Sequence, residues 1–486
     1  MNRYITTTLP YVNADPHIGF ATELVQADTL ARTWRAQGDE VFFSTGTDEH
    51  GQKIWEAAEK TGQDVQEYVD HYANEVKKLK QALNLSNDAF IRTTDPAHIK
   101  AAQEMWRRCD AAGDIYKKMY TGLYCVGCEE YKTQKDLDES GHCLLHPSAE
   151  IQKIEEENYF FRLSKYQERL LAYLDQAHSN QAGVIVPEWR RAEARAFVAS
   201  GLEDFSISRN KEKLSWGIPV PNDEEQVMYV WFDALTDYIS TLGWPADAHG
   251  NFEKFWQNGH ILQVAGKDQV RFQSIMWQAM LMSANIKNTD QVFYHGFINS
   301  GGQKMSKSIG NVISPYELIE KYGTDATRYL LLRHVHPVDD SDVTWERLDE
   351  WYTANLVNGL GNLVARVMKL AEDHLSVPVA LTETNTSIDG GFIELIDGFK
   401  FGEAMDMIWM LISHGDEFIT TNEPYKKIKD SDETQQENAR KDIENLVLRL
   451  AMIATRLAVV MPSTSEAILA AVHSNKKPEN LFPRLP

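Results

Sequence analysis

The spacing of apolar positions changes twice near the start of the chain. "RYITTT" (Arg3–Thr8) is rich in β-branched residues, and "LPYVNADPHIG" (Leu9–Gly19) is rich in turn formers. Through "DPHIGFATELVQADTLARTW" (Asp15–Trp34), apolar residues then recur every three to four positions. This order predicts a strand, a loop and an amphipathic helix. "EVFFSTGTDEHG" (Glu40–Gly51) predicts a buried strand, with Phe42 and Phe43 in its core, that ends in a polar, Gly-flanked loop. Strand-like and helical patterns alternate to about Asp114. From Ile115 to about Pro221 the pattern shortens into small β-like pieces such as "NYFFRL" and charged helices. It resumes from about Gln226 in "VMYVWFDAL", "HILQVAGKD" and "VFYHGFINSGGQKMSKS". From about Asp339 the periodicity is almost entirely helical, as in "RLDEWYTANLVNGLGNLVARVMKLAEDH". The expected architecture is an α/β parallel-sheet domain split by an insertion and followed by a helical bundle. Its segments are 1–114, 115–225, 226–338 and 339–486.

Composition sharpens this picture in a few places. At 486 residues the chain is too long for a single core. Its 43% apolar and 25% charged content is that of a soluble globular protein. No apolar run is long enough to span a membrane, and the chain enters a strand-like segment at once, so a cytoplasmic location is expected. The net charge of −22 argues against wholesale nucleic-acid binding but leaves room for a local basic face. Three of the four cysteines fall in one short window, which does not suit a disulfide framework.

That window holds Cys125 and Cys128 as CxxC, then Cys143 and His146 as CxxH. The spacing is that of two zinc knuckles closing one Cys₃His tetrahedron, so one structural Zn²⁺ is expected. Cys109, on a helical stretch, is expected to be core filler. Two further stretches suit a polyphosphate. His17 and Gly19 stand where a helix begins, and a helix start presents unpaired N–H groups. "GGQKMSKSIGN" (Gly301–Asn311) places Lys304 and Lys307 in a mobile Gly/Ser loop. No GxxxxGK[ST] loop occurs, so the implied ATP site is of another design. Three polar clusters follow predicted strands, where open parallel sheets bind ligands: His17 with Gly19, Asp48 with His50, and Gly266 with Asp268.

"HIGF" and "KMSKS" together resemble the two signatures of the class I aminoacyl-tRNA synthetases. Phe20 departs from the first, where the family has a second His that serves the α-phosphate region. "LPYVNADPHIG", "TGTDEHG", "FSISR", "YVWFDALTDY" and "GKDQVRFQ" resemble segments of the methionyl-tRNA synthetases, in order along nearly the whole chain. The resemblance implies a Rossmann-like catalytic domain, a zinc-binding insertion and a helical anticodon-binding domain. It implies ligation of L-methionine to tRNA(Met) through a methionyl-adenylate, with ATP and Mg²⁺.

The same resemblance implies site residues. Asp48 pairs with the methionine ammonium, and Leu9, Tyr11, Trp231, Ala234, Leu235, Tyr238 and Phe272 form an aromatic, apolar slot suited to a thioether. Arg209 is a further pocket partner. ATP is met by His17, Gly19, Phe20, Lys304, Ser306 and Lys307, and by Gly266 and Asp268 at the adenosine end. His17, Lys304 and Lys307 stabilise charge during the reaction. Asn362 and Arg366 lie at i and i+4 on one helix face and contact the anticodon. In "NEPYKKIKD", Tyr425 stands in place of the family's stacking Trp, with Lys426, Lys427 and Lys429 as a local basic patch. Gln273 stands where many members have His and is given no part in recognition. With no appended β-barrel, a monomer is expected.

Overall fold

The β-branched run at the N-terminus forms strand β1 (Asn2–Thr7) in the structure, a computed structural model. Its last four residues are buried, as expected for a parallel strand covered on both faces. The structure describes every residue except 128–129, 133–135, 147–149, 177–182, 306–309 and 486, and only the backbone at 120, 121, 130, 131 and 154. Five more strands join β1: β2 (Glu40–Thr47), β3 (Ala89–Arg92), β4 (Ile185–Val186), β5 (His260–Gly266) and β6 (Gln291–His295). Their order is β3-β2-β1-β5-β6-β4, and every neighbouring pair is parallel. Ile5 lies opposite Phe43 on one side and Leu262 on the other. Phe43 is fully buried and Phe42 packs against the core, as expected. Gly46 is required for the approach of β3, because a Cβ there would sit 2.2 Å from the Ile91 carbonyl oxygen.

The chain forms two compact units. The first holds Met1–Pro16, Asp39–Lys78 and Asn87–His295; the second holds His17–Gly38, Leu79–Ser86 and Gly296–Pro486. Helix α1 (Ile18–Ala36), which follows β1 in sequence, belongs to the second unit.

In the first unit, α2 (Pro96–Ala111), α3 (Val230–Leu235) and α4 (Asp237–Ser240) join the sheet. Their core includes Tyr4, Trp106, Phe161, Phe232, Trp256 and Trp277. Cys109 is fully buried in it, and burial pushes its thiol up to about 12, which suits inert filler. The run "VMYVWFDAL" is half strand (Asp223–Met228) and half helix α3, changing at Tyr229. The region between the halves of the sheet is antiparallel, with Ile115–Cys125 paired along its length to Ile151–Phe161.

The second unit is mainly helical, with α5 (Thr324–His334), α6 (Asn362–His374), α7 (Phe401–Asn422), α8 (Glu433–Leu457) and α9 (Pro462–Ser474). Helix α1 is not amphipathic as predicted. Nearly all of it is buried, including Glu23, Gln26 and Asp28. Tertiary partners explain how: Asp28 pairs with Arg32 and with the fully buried Arg328, both at 2.7 Å, and accepts from Ser86. Arg328 also donates to the carbonyls of Leu83 and Val460. The long helical run before His374 contains a π-helical stretch, Tyr352–Gly361, between its α-helical parts. Among the described residues no helix is long and apolar enough to cross a membrane.

Candidate active site

Asp48 follows the last residue of β2, and its backbone is held from the segment after β1. Its N–H donates to the Pro10 carbonyl at 3.1 Å, and its own carbonyl accepts from Val12 at 3.3 Å. This bridge sets Asp48 beside Tyr11. The next residue is fixed as firmly. Glu49 takes a bidentate pair from Arg92 at 2.6 and 2.7 Å, and its carbonyl accepts from Trp216 Nε1 at 2.6 Å.

Aromatic rings gather near this loop. Tyr11 meets Trp231 edge-on at 6.1 Å, and Trp231 lies flat on Phe272 with centroids 3.7 Å apart. Ala234, Leu235 and Tyr238 are buried along α3 and α4. Leu9 packs against Gly46, its Cδ2 only 2.8 Å from where a Cβ would be. Of the residues predicted to meet methionine, the structure thus links Asp48, Tyr11, Trp231 and Phe272 in one chain of contacts.

Gln273, set aside on sequence grounds, is buried and donates from Nε2 to Tyr238 Oη at 2.5 Å. Its position next to Phe272 was the available signal. Arg209 donates to Ser206 Oγ and the Ser208 carbonyl, and lies over the Tyr229 ring at 4.5 Å. The cavity it lines also takes in Lys118, Phe160 and Tyr229.

The ends of β5 and β6 lie side by side, with Gly266 opposite His295. Asp268 folds back over Gly266, its Oδ1 2.6 Å from a Cβ built there. His295 was not singled out from sequence, because only the register of β6 puts it beside Gly266.

In the second unit, His17 caps α1: the Gly19 N–H donates to His17 Nδ1 at 3.0 Å. Since Nδ1 accepts, the neutral ring carries its proton on Nε2, a donor suited to an anion. A Cβ at Gly19 would lie 2.8 Å from His17 Cε1, so this cap needs glycine. Phe20 is buried and has no donor to offer.

The Gly-rich loop, expected to be mobile, begins as a hairpin. Gly301 and Gly302 have φ of +64° and +75° between the paired strands Ile298–Ser300 and Gln303–Lys304, as a tight hairpin turn requires. Asp342 accepts from the Gly302 N–H at 2.7 Å. Lys304 is exposed at the end of this hairpin, whereas Ser306 and Lys307 lie outside the described residues.

Two other predicted groups can be located. Ligand atoms of Cys125, Cys143 and His146 lie within 4.8 Å of one another, and both cysteines are buried. Sulfur ligands of a tetrahedral Zn²⁺ are about 3.8 Å apart, so this cluster fits such an ion. Gly127 leaves room for the His146 ring, and Cys128 lies outside the described residues. Asn362 is exposed at the start of α6. One turn later, Arg366 pairs with Asp416 of α7 at 2.9 Å. Tyr425 is exposed just beyond the end of α7. The expected basic patch is partly neutralised, since Lys426 pairs with Glu423, and Lys427 with Asp442 at 3.4 Å.

The match of a family model places this α/β chain among the class I tRNA synthetases. The family model "tRNA synthetases class I (M)" matches residues 3–145 and 133–368. A methionine–tRNA ligase of Thermotoga maritima is 37% identical over 98% of this chain and 76% of its own length. One of Synechocystis is 38% identical over 96% of this chain and 88% of its own. The solved structure of Mycobacterium tuberculosis methionyl-tRNA synthetase in complex with methionyl-adenylate superposes with a TM-score of 0.88 at 34% identity, covering 99% of this chain and 98% of that one. The chain belongs to the methionine–tRNA ligase family.

Proposed function

We propose that this chain ligates methionine to tRNA in two steps, with the residues named above in the roles that follow. The methionine carboxylate attacks the α-phosphorus of ATP, and the bond to pyrophosphate breaks. The 3′-terminal adenosine hydroxyl of the tRNA then attacks the methionyl carbonyl, and AMP leaves. The protein positions the reactants and stabilises charge.

Asp48 holds the ammonium, and Leu9, Tyr11, Trp231, Ala234, Leu235, Tyr238 and Phe272 surround the thioether. Through Nε2–H, His17 donates to the triphosphate together with Lys304 and Lys307. Gly19, Phe20 and Ser306 shape that site, and Gly266, Asp268 and His295 meet the nucleoside. Mg²⁺ enters with ATP. Asn362, Arg366 and Tyr425 meet the anticodon. Cys125, Cys128, Cys143 and His146 hold one structural Zn²⁺, whose binding supplies folding energy to residues 115–225. The segments 1–114 and 226–338 form the catalytic domain and 339–486 the anticodon-binding domain, in a monomeric, cytoplasmic enzyme.

The observation that carries this reading is the Asp48–Tyr11–Trp231–Phe272 chain, a carboxylate next to stacked rings. Its test is amino-acid-dependent ATP–pyrophosphate exchange with methionine, leucine, isoleucine, valine and cysteine in parallel. Exchange with methionine alone is expected; no exchange by folded, zinc-loaded protein overturns it.

A further inference from the structure

We infer that His50 is a positioning residue for the amino-group site, and that Asp233 is the hub through which it acts. Asp233 accepts from two buried histidines at once. Its Oδ2 is 2.7 Å from His50 Nδ1, and its Oδ1 is 2.7 Å from His98 Nε2. The other nitrogen of His98 lies 2.9 Å from Ser240 Oγ, and that hydroxyl donates to the Asp237 carbonyl at 3.3 Å. All four side chains are buried, Asp233 and His98 completely. A buried carboxylate is tolerated only where its oxygens are bonded, and here both are used.

What these bonds join matters more than that they are satisfied. His50 stands two residues after Asp48, in the loop that leaves β2. Asp233 is on α3, between Trp231 and Ala234, and Ser240 is on α4 after Tyr238. His98 comes from the first turn of α2. The three residues of the loop are therefore anchored to different places. Asp48 is held by the main chain of Pro10 and Val12, and Glu49 by Arg92 and Trp216. His50 is held by Asp233, on the helix that lines the side-chain pocket. The network thus sets the distance between the ammonium acceptor and the thioether slot, a distance that recognition of one amino acid must hold to within about 0.5 Å. Charged groups near the network include Asp237 on α4, which interacts with Asp233, Asp95 and Glu49, and Arg92 on β3, which pairs with Glu49.

This inference rests on Asp48 receiving the methionine ammonium, and the test separates the two claims. Exchange kinetics on the full chain compare Asp48→Asn, His50→Ala, His50→Asn and the double variant Asp48→Asn/His50→Ala. Asparagine keeps a donor close to the place of Nδ1. His50→Ala is expected to raise the methionine KM on the order of tenfold, leaving kcat and the ATP KM within about twofold, and His50→Asn to recover most of the loss. The double variant is expected to be no worse than Asp48→Asn alone, as for two residues acting through one contact.

Parallel changes in both KM values and kcat, no recovery in His50→Asn, or multiplying effects in the double variant overturn the inference. Asp48→Asn with an unchanged methionine KM overturns the reading of Asp48 itself, and this inference with it. A raised KM in Asp48→Asn and none in His50→Ala overturns the inference alone. Should His50→Ala not fold, His98→Asn keeps a polar group toward Ser240 and drops the one toward Asp233. It is expected to raise the methionine KM in the same way, and an unchanged value in the folded variant overturns the inference.

Discussion

At the residue scale, single polar groups decide how the site meets charge. His17 accepts from Gly19 at one nitrogen and so presents the other as a donor. On the proposed triphosphate role of His17, His17→Ala removes that donor from where negative charge would build up. Its kcat in pyrophosphate exchange is expected to fall about 10²–10³-fold, as for the loss of one oxyanion donor, with the methionine KM little changed. Asp237 shows the opposite use of a carboxyl. Burial, together with Asp233, Asp95 and Glu49, raises its pKa well above the ordinary value, and among the described residues its Oδ2 has no hydrogen-bond partner. The folded chain therefore keeps a proton there that the unfolded chain releases. Above the ordinary value of 3.8, this residue's contribution to stability declines as pH rises toward its folded-state pKa. Asp237→Asn removes the titration, so the variant should be more stable than the parent near neutral pH. The difference is expected to grow by up to about 1.4 kcal/mol per pH unit in that window and to vanish in acid. Urea unfolding at a series of pH values reads it directly.

At the element scale, short helices and strand ends position the residues proposed to recognise methionine. Helix α3 begins at Val230 and at once presents Trp231 to Phe272 and Tyr11. Stacked pairs contribute roughly 0.5–1.5 kcal/mol beyond burial. Trp231→Ala is thus expected to raise the methionine KM about tenfold or more while the ATP KM stays near its parent value. Exchange kinetics with each substrate varied in turn checks this. The cysteine-bearing insertion is held differently. On the proposed zinc site near Cys125, Cys125→Ser is expected to lose the one zinc per chain that elemental analysis should count in the parent. Far-UV and thermal measurements should show local loss of stability. Methionine-dependent exchange should persist within several-fold, since a closed site does no chemistry.

At the scale of the whole molecule, a few buried polar nodes join distant stretches of chain. In the second unit, Arg328 of α5 binds Asp28 of α1 and the carbonyls of Leu83 and Val460, so one guanidinium connects three segments far apart in sequence. Breaking a buried pair by removing one partner costs about 3–5 kcal/mol. Arg328→Met is expected to lower unfolding stability by that amount and to shift the denaturation midpoint, whereas a change near zero would mean the node is not needed.

Much of this was legible along the chain. The β-branched run of β1, the strand of Phe42 and Phe43 and the helix start at His17 and Gly19 follow from local periodicity and local chemistry, and the structure agrees with each; of the cysteine window it brings Cys125, Cys143 and His146 together. What could not be read locally depends on partners far away in sequence. The polar residues Glu23, Gln26 and Asp28 made α1 look amphipathic, yet all three are buried, Asp28 with partners as distant as Arg328 and Ser86. The hairpin at Gly301–Gly302 is fixed by pairing with Ile298–Ser300 and by Asp342. Gln273 meets Tyr238, His295 lies beside Gly266 and His50 meets Asp233 only through the tertiary fold. The sequence by itself determined the class of fold and the family, since these are written in short motifs and periods. Only the tertiary structure decided which groups are buried together and which nitrogen or oxygen each presents, because hydrogen bonds between distant segments exist only once the chain has closed on itself.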